Sequence, residues 1–286
     1  MMGGSLGLAL KRGKSDPVTV HGYARRPETR QLALELKVAD RVFDDPAKAV
    51  QDADAVVLCV PILAIPALVA KCRGALKPGC LVTDVGSTKA RLAAEIGPLL
   101  HGTGAVFLGS HPLAGSEQQG LDAARADLYE KAVVVVAPED GEAGPAVENL
   151  KRFWENVGAT VQVMKPDEHD CIAARTSHLP HIVAALLSGT VGRDGDLGQL
   201  GKCCGPGFRD ATRIAEGSPE VWHDIIQSNR ECMLRELGEF KAALERVMSM
   251  VEKGDSGPLL KFLENGRLKR KQLMQGKLGD HQRGDL

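Results

Sequence analysis

The chain has 286 residues, of which 43% are hydrophobic and 26% charged, and its formal net charge is −1. That length suits two domains or one large one, with a composition ordinary for a soluble globular protein. The near-zero charge offers no field for nucleic acid or an anionic membrane, and no apolar run approaches the ~18–20 residues that would cross a bilayer.

The amino terminus, Met1-Met2-Gly3-Gly4, lacks the basic and apolar regions of a signal peptide. Seven cysteines at irregular spacings argue against a disulfide framework and against a zinc site. No metal is therefore expected, and the chain is expected in the reducing cytoplasm.

Gly3-Gly4-Ser5-Leu6-Gly7-Leu8-Ala9-Leu10 resembles the end of a dinucleotide-binding fingerprint and the helix behind it. Val18 to Tyr23 reads as a strand, and a helix follows from Pro27, with proline at its first position. Between them lie Ala24-Arg25-Arg26. A carboxylate there would hold a ribose 2′-hydroxyl, whereas arginine suits a 2′-phosphate, so the cofactor is expected to be NADP or NAD with a lean toward NADP.

Two features of the fingerprint are missing, its preceding strand and its first glycines. In this fold that strand lies mid-sheet, so a chain starting at Met1 leaves a central slot with unpaired ladder groups. A coding start upstream of Met1 is the corresponding expectation.

Ala55 to Val60 is a continuous apolar run, as in a strand buried on both faces, and Val60 and Pro61 close it as further candidate cofactor contacts. Helical stretches at 62–73 and 88–100 alternate with strands at 80–83, 105–108 and 132–137. This alternation implies a parallel sheet with right-handed crossovers. Gly109 to Glu117 sets His111 between two glycine turns just past a strand, where open α/β sheets place their ligands. Histidine is also the side chain best able to exchange a proton near neutrality.

After Pro138 the pattern changes. A helix at 143–157 and a short strand at 160–163 lead into almost continuous helix at 167–190, 218–250 and 257–275. The expected organisation is an incomplete dinucleotide-binding domain over 1–140 and a helical substrate and dimerisation domain over 141–286. Such long helices need more apolar partners than a small bundle supplies, which makes a homodimer plausible.

Four segments converge: Thr83-Asp84-Val85-Gly86-Ser87-Thr88-Lys89; Gly109 to Glu117; Glu168-His169-Asp170 with Ser177-His178-Leu179-Pro180-His181; and Gly207 to Ala215, followed by Pro219 and Trp222. Together and in this order they resemble the prephenate dehydrogenase and arogenate dehydrogenase family of tyrosine biosynthesis, over nearly the whole chain. The resemblance implies a Rossmann-like, doubly wound α/β domain joined to an all-helical dimerisation domain. It implies oxidative decarboxylation of a cyclohexadiene, prephenate or arogenate, with substrate held between the domains.

Residue by residue, it implies that His111 accepts a hydrogen bond from the ring hydroxyl in its neutral form and that Ser87 orients that hydroxyl. Ser177 and His181, one helical turn apart, would reach the substrate, with His178 off their face. Arg213 offers a planar fork for a substrate carboxylate, and Glu117 and Asp210 would pair with it or guard the mouth. Lys89 reads as structural, and Trp222 as core. Two other readings stay open: a β-hydroxyacid dehydrogenase, and a non-catalytic truncated paralogue that binds a metabolite or partner subunit.

Overall fold

The computed structural model describes residues 1–12, 17–114, 120–139 and 144–282. Glu117 and the remainder of its glycine turn lie outside them. The chain opens on helix α1 (Met2–Arg12) and continues through β1 (His21–Tyr23), α2 (Pro27–Glu35), β2 (Arg41–Phe43), α3 (Pro46–Val50) and β3 (Ala55–Leu58). Then come α4 (Ile65–Cys72), β4 (Leu81–Asp84), α5 (Ala90–Leu100), β5 (Val106–Phe107), β6 (Gly109–Pro112), β7 (Val133–Ala137), α6 (Pro145–Glu155) and β8 (Thr160–Val163). Proline starts α2, α3 and α6, where its missing N–H costs nothing.

β1 pairs in parallel with β2, and β3, β4 and β5 form a second parallel set. β1 and β3 are not paired with each other. A doubly wound sheet of order 3-2-1-4-5-6 deprived of its first strand would divide at this place. Helix α1 nevertheless sits where the fingerprint helix belongs. A Cβ on Gly7 would lie 1.9 Å from the Val38 carbonyl oxygen, so the helix can rest on that backbone only because residue 7 is glycine.

The third sheet departs from the expected all-parallel pattern. β6 runs antiparallel to β7, and β7 parallel to β8. Among the described residues no helix lies between β6 and β7, so the chain reverses direction without the crossover that a parallel pair requires. β7 is central in this sheet, and its run Val133-Val134-Val135-Val136 is almost wholly buried.

The sheet layer also extends past the boundary expected after residue 140. β8 pairs with β7, and Trp154 and Leu150 of α6 are fully buried with Tyr129, Val134, Val136 and Leu6 in one core cluster. A second cluster joins Leu58, Ile65, Val69, Val82, Leu92 and Ile96, filling the space between β3, β4, α4 and α5.

Helices follow: α7 (Pro166–Ala173), a π-helical turn (Ala174–His178), α8 (Leu179–Val191), α9 (Leu197–Cys203), α10 (Pro206–Thr212), a 3-10 turn (Arg213–Glu216), α11 (Pro219–Ser228), α12 (Arg230–Glu252) and α13 (Ser256–Gln282). Pro180 has no N–H and its ring crowds the preceding turn, which accounts for the wider π turn just before it. By packing, the chain forms two compact units, Met1–Met233 and Leu234–Leu286. The second consists of most of α12 and of α13, and it exposes Leu244, Met248, Val251, Leu260, Leu263 and Leu273. Among the described residues, no helix is long and apolar enough to cross a membrane.

Candidate active site

His111 is not in a turn. It lies within β6, opposite Val135 of β7, so its backbone is fixed by a strand ladder. Ser110, its neighbour, is fully buried and anchors β6 to the end of β4. The Ser110 hydroxyl donates to the Asp84 carbonyl (2.7 Å), receives Thr83 Oγ1 (2.9 Å) and accepts from Trp154 Nε1 (3.2 Å). The Lys89 ammonium donates to the Asp84 carboxylate and to the Ser110 carbonyl (2.8 Å). Lys89 and Asp84 are both almost completely buried. Burial pushes the carboxyl up and the ammonium down, and their ion pair opposes both shifts.

The ring of His111 meets a second ring from the helical segment. Its Nδ1 lies 2.9 Å from Nε2 of His169, and Nδ1 of His169 lies 2.8 Å from Oδ1 of Asp170. Asp170 also caps α5: Oδ1 accepts the Lys89 N–H (2.7 Å) and Oδ2 accepts the Ala90 N–H (3.0 Å). One carboxylate therefore ties α7 to the start of α5 and closes the loop that carries Ser87. Ser87 itself is half-buried, and Thr88 next to it donates to the Ser228 hydroxyl at the end of α11 (2.9 Å). Burial, then the charges of His169, Lys89 and His178, lower the His111 pKa well below the usual histidine value, so its ring is neutral at pH 7.

The π turn changes which histidines share a face. Ala174, His178, His181 and Ala184 are buried, whereas Ser177 is exposed. The expected pairing of Ser177 with His181, leaving His178 aside, is thus replaced by His178 with His181. A spacing of three puts residues on one face as readily as a spacing of four, and only packing decides between them. His178 Nδ1 faces Asn229 Nδ2 (3.3 Å), which also donates to the Asp170 carbonyl (2.7 Å).

Trp222 is half-buried against the histidines that precede and open α8. Its indole stacks on His181 at 3.5 Å between centroids and 12° between planes, and His178 meets it edge-on at 6.1 Å. Gly217 makes room for this stack, since a Cβ there would lie 2.6 Å from Trp222 Nε1. Burial lowers the pKa of His178 to about 4, and it lowers that of His181 against a hydrogen bond to the Ile214 backbone. His178 Nε2 and His181 Nδ1 are buried and have no hydrogen-bond partner among the described residues. Such atoms suit a polar ligand.

Arg213 starts the 3-10 turn packed beside α8, and Asp210 lies one turn earlier on α10. Both are exposed. At the other end of the site, Gly3 sits in the first turn of α1, where a Cβ would come 3.1 Å from that of Cys59, next to Val60 and Pro61. Gly4 and Ser5 are buried. A Cβ on Gly4 would strike Leu121 at 2.4 Å, and the Ser5 hydroxyl accepts the Arg125 N–H at 3.0 Å. Burial and Asp84 push the Cys59 thiol up to about 12, so it stays protonated. Arg25 and Arg26 are exposed just after β1. The close seat of α1 on the end of β3, made by glycines, fits a dinucleotide whose pyrophosphate rests on a helix N-terminus.

Sequence reasoning left His169 and Asp170 without a role, and it passed over Asp84, Ser110 and Asn229. The run Glu168-His169-Asp170 just after Pro166 was the visible signal. Its partner lies 58 residues away.

A glycine-seated α1 at the strand ends, together with a neutral histidine beside that layer, defines a nucleotide-binding dehydrogenase with a helical second part. Residues 6–163 match the nucleotide-binding domain of prephenate dehydrogenase, and residues 165–265 match its dimerization domain. The chain belongs to the prephenate dehydrogenase family. It is 32% identical over 269 residues to the cyclohexadienyl dehydrogenase of Zymomonas mobilis, covering 93% of this chain and 91% of that protein. Its fold superimposes on prephenate dehydrogenase from A. aeolicus, solved with hydroxyphenyl propionate and NAD+, with a TM-score of 0.88 and 31% identity over 95% of this chain and 94% of that one. Arogenate dehydrogenase from Synechocystis gives a TM-score of 0.79 and 28% identity over 95% and 96% of the two chains.

Proposed function

We propose that this dehydrogenase, as a cytoplasmic homodimer, converts prephenate to 4-hydroxyphenylpyruvate, or arogenate to tyrosine, using NADP or NAD. The observation that carries the proposal is the neutral His111 ring, held rigidly by β6 and abutting His169, itself bonded to Asp170, in a chain of this family. The nicotinamide, when bound, accepts the hydride from the ring carbon bearing the hydroxyl. His111 accepts the hydroxyl proton as that hydride leaves. Loss of carbon dioxide from the opposite ring carbon returns its electron pair to the ring, which becomes aromatic, and the phenolate oxygen takes the proton back from His111. The protein's task is to orient the ring and hold that proton.

Ser87 orients the hydroxyl from the loop between β4 and α5. Arg213 pairs with a substrate carboxylate, with Asp210 as its ionic companion. His181 approaches from the helical side, with His178 beside it. The stacked His181–Trp222 pair and the two unpartnered ring nitrogens support a polar, ring-shaped ligand there. For the cofactor, Gly3, Gly4 and Ser5 at the start of α1 take the pyrophosphate, Val60 and Pro61 flank the dinucleotide, and Arg25 and Arg26 meet the adenosine ribose or its 2′-phosphate. The exposed apolar residues of α12 and α13, including Leu244, Met248, Val251 and Leu260, support association with a second copy.

The test is direct. Purified protein is given prephenate and then arogenate with each cofactor, and the reduced nicotinamide is followed by absorbance. Turnover of either substrate supports the reading. No reduction with either one leaves the non-catalytic alternative.

A further inference from the structure

We propose that His169 and Asp170 are positioning residues that set the tautomer of His111, leaving its Nε2 as the unprotonated acceptor. This rests on the role of His111 proposed above. The argument follows the protons. Asp170 accepts three N–H groups, those of Lys89, Ala90 and the His169 ring. At 2.8 Å from the Asp170 oxygen, Nδ1 of His169 carries the hydrogen. In the proposed relay His169 carries this one ring hydrogen, so its Nε2 offers a lone pair, and that atom lies 2.9 Å from Nδ1 of His111.

A contact of that length between two nitrogens needs one hydrogen, which in this relay comes from His111. The hydrogen of the neutral His111 ring is therefore on Nδ1, and Nε2 keeps its lone pair. An unrestrained imidazole has no such constraint, and one with Nε2 protonated could not take the substrate proton.

The rest of the structure holds the relay in place. Asp170 is fixed by the backbone of α5 and, through its carbonyl, by Asn229. His169 and Asp170 are both buried, which keeps water from supplying alternative partners. The other charged or titratable groups acting on His111 are Lys89, held by Asp84, and His178. Positive charge that develops on His111 faces the Asp170 carboxylate along the line of the two rings.

The experiment pairs nitrogen NMR with kinetics. Protein labelled with 15N in its histidine rings, without substrate, is compared with His111→Asn to identify the His111 signals. Protonated Nδ1 and bare Nε2 in the unmutated protein are expected, and a proton on Nε2 overturns the proposal. This reading needs neither turnover nor a second variant, so it decides the tautomer even if the proposed reaction fails. His169→Phe, which removes the acceptor, is expected to mix the tautomers and lower kcat about 10–100-fold with the cofactor KM unchanged. His169→Gln places an amide oxygen near the old Nε2 and is expected to restore both the tautomer and most of kcat. An unchanged tautomer and kcat in His169→Phe overturn the proposal.

Discussion

The proposed acid–base end of this site and its proposed recognition end are built on opposite physical plans. Around His111, the chain spends buried, fully partnered polar groups: Lys89 with Asp84, Ser110 with Trp154, and His169 with Asp170. Around Arg213, Asp210, Ser177, Arg25 and Arg26, the side chains are exposed on helix ends and loops. The difference follows from the work each end does. A proton acceptor must keep one tautomer and one position, which a buried hydrogen-bond network supplies. A group that recognises an anion must first meet it in water, and its contact strengthens as ligand and protein exclude solvent.

Substitutions at the two ends should therefore fail in different ways. His111→Asn should lower kcat by about 10²–10⁴-fold while leaving cofactor affinity nearly unchanged, as steady-state kinetics with cofactor titration will report. A small effect would remove the acid–base end from the comparison.

Lys89→Met should act first on stability. It strands the Asp84 carboxylate in the interior, and urea unfolding should register a loss of about 3–5 kcal/mol. An unchanged midpoint would mean that the pair is not part of the scaffold beneath His111.

Acid should weaken the same buried end. The folded-state pKa of His178 is lowered from 6.5 to about 4 by burial, so between these values the unfolded chain binds the extra proton. Its contribution is intact above pH 6.5 and is lost as pH falls toward 4, on the order of 3 kcal/mol. Unfolding measured across that range should show the slope, and His178→Gln should flatten it. For the same reason, the lowered pKa of His111 puts the acid limb of kcat below 6.5.

At the recognition end the effects should be smaller and confined to binding. Arg213→Ala should raise the substrate KM about 10–100-fold and leave kcat within a few-fold. Replacing Arg25 and Arg26 by alanine should weaken NADP by up to about 10-fold and leave NAD alone, a comparison read from the two cofactor KM values. Equal loss with both cofactors would sink the preference for a 2′-phosphate.

Much of this layout is legible in the residues themselves. The alternating apolar runs locate β3, β4 and β7, the prolines at 27, 145, 166 and 219 mark helix starts, and the order of four short motifs identifies the family. Gly7 is legible too, because only glycine allows a helix to touch the Val38 backbone. What stays hidden is orientation. The reversal at β6 and β7 depends on a connection with no helix among its described residues, and the buried partnership of His178 with His181 depends on a π turn. The stack of Trp222 on His181 depends on the gap left by Gly217.

The amino-acid sequence by itself thus determined the architecture and the chemical class, and it singled out His111, because periodicity, helix caps and motif order are local. Tertiary structure alone decided which groups hold that histidine. His111 meets His169 from 58 residues away, and Asp170 caps α5 across 81. A hydrogen bond is made or lost within a few tenths of an ångström, and only the packed interior places distant segments that closely.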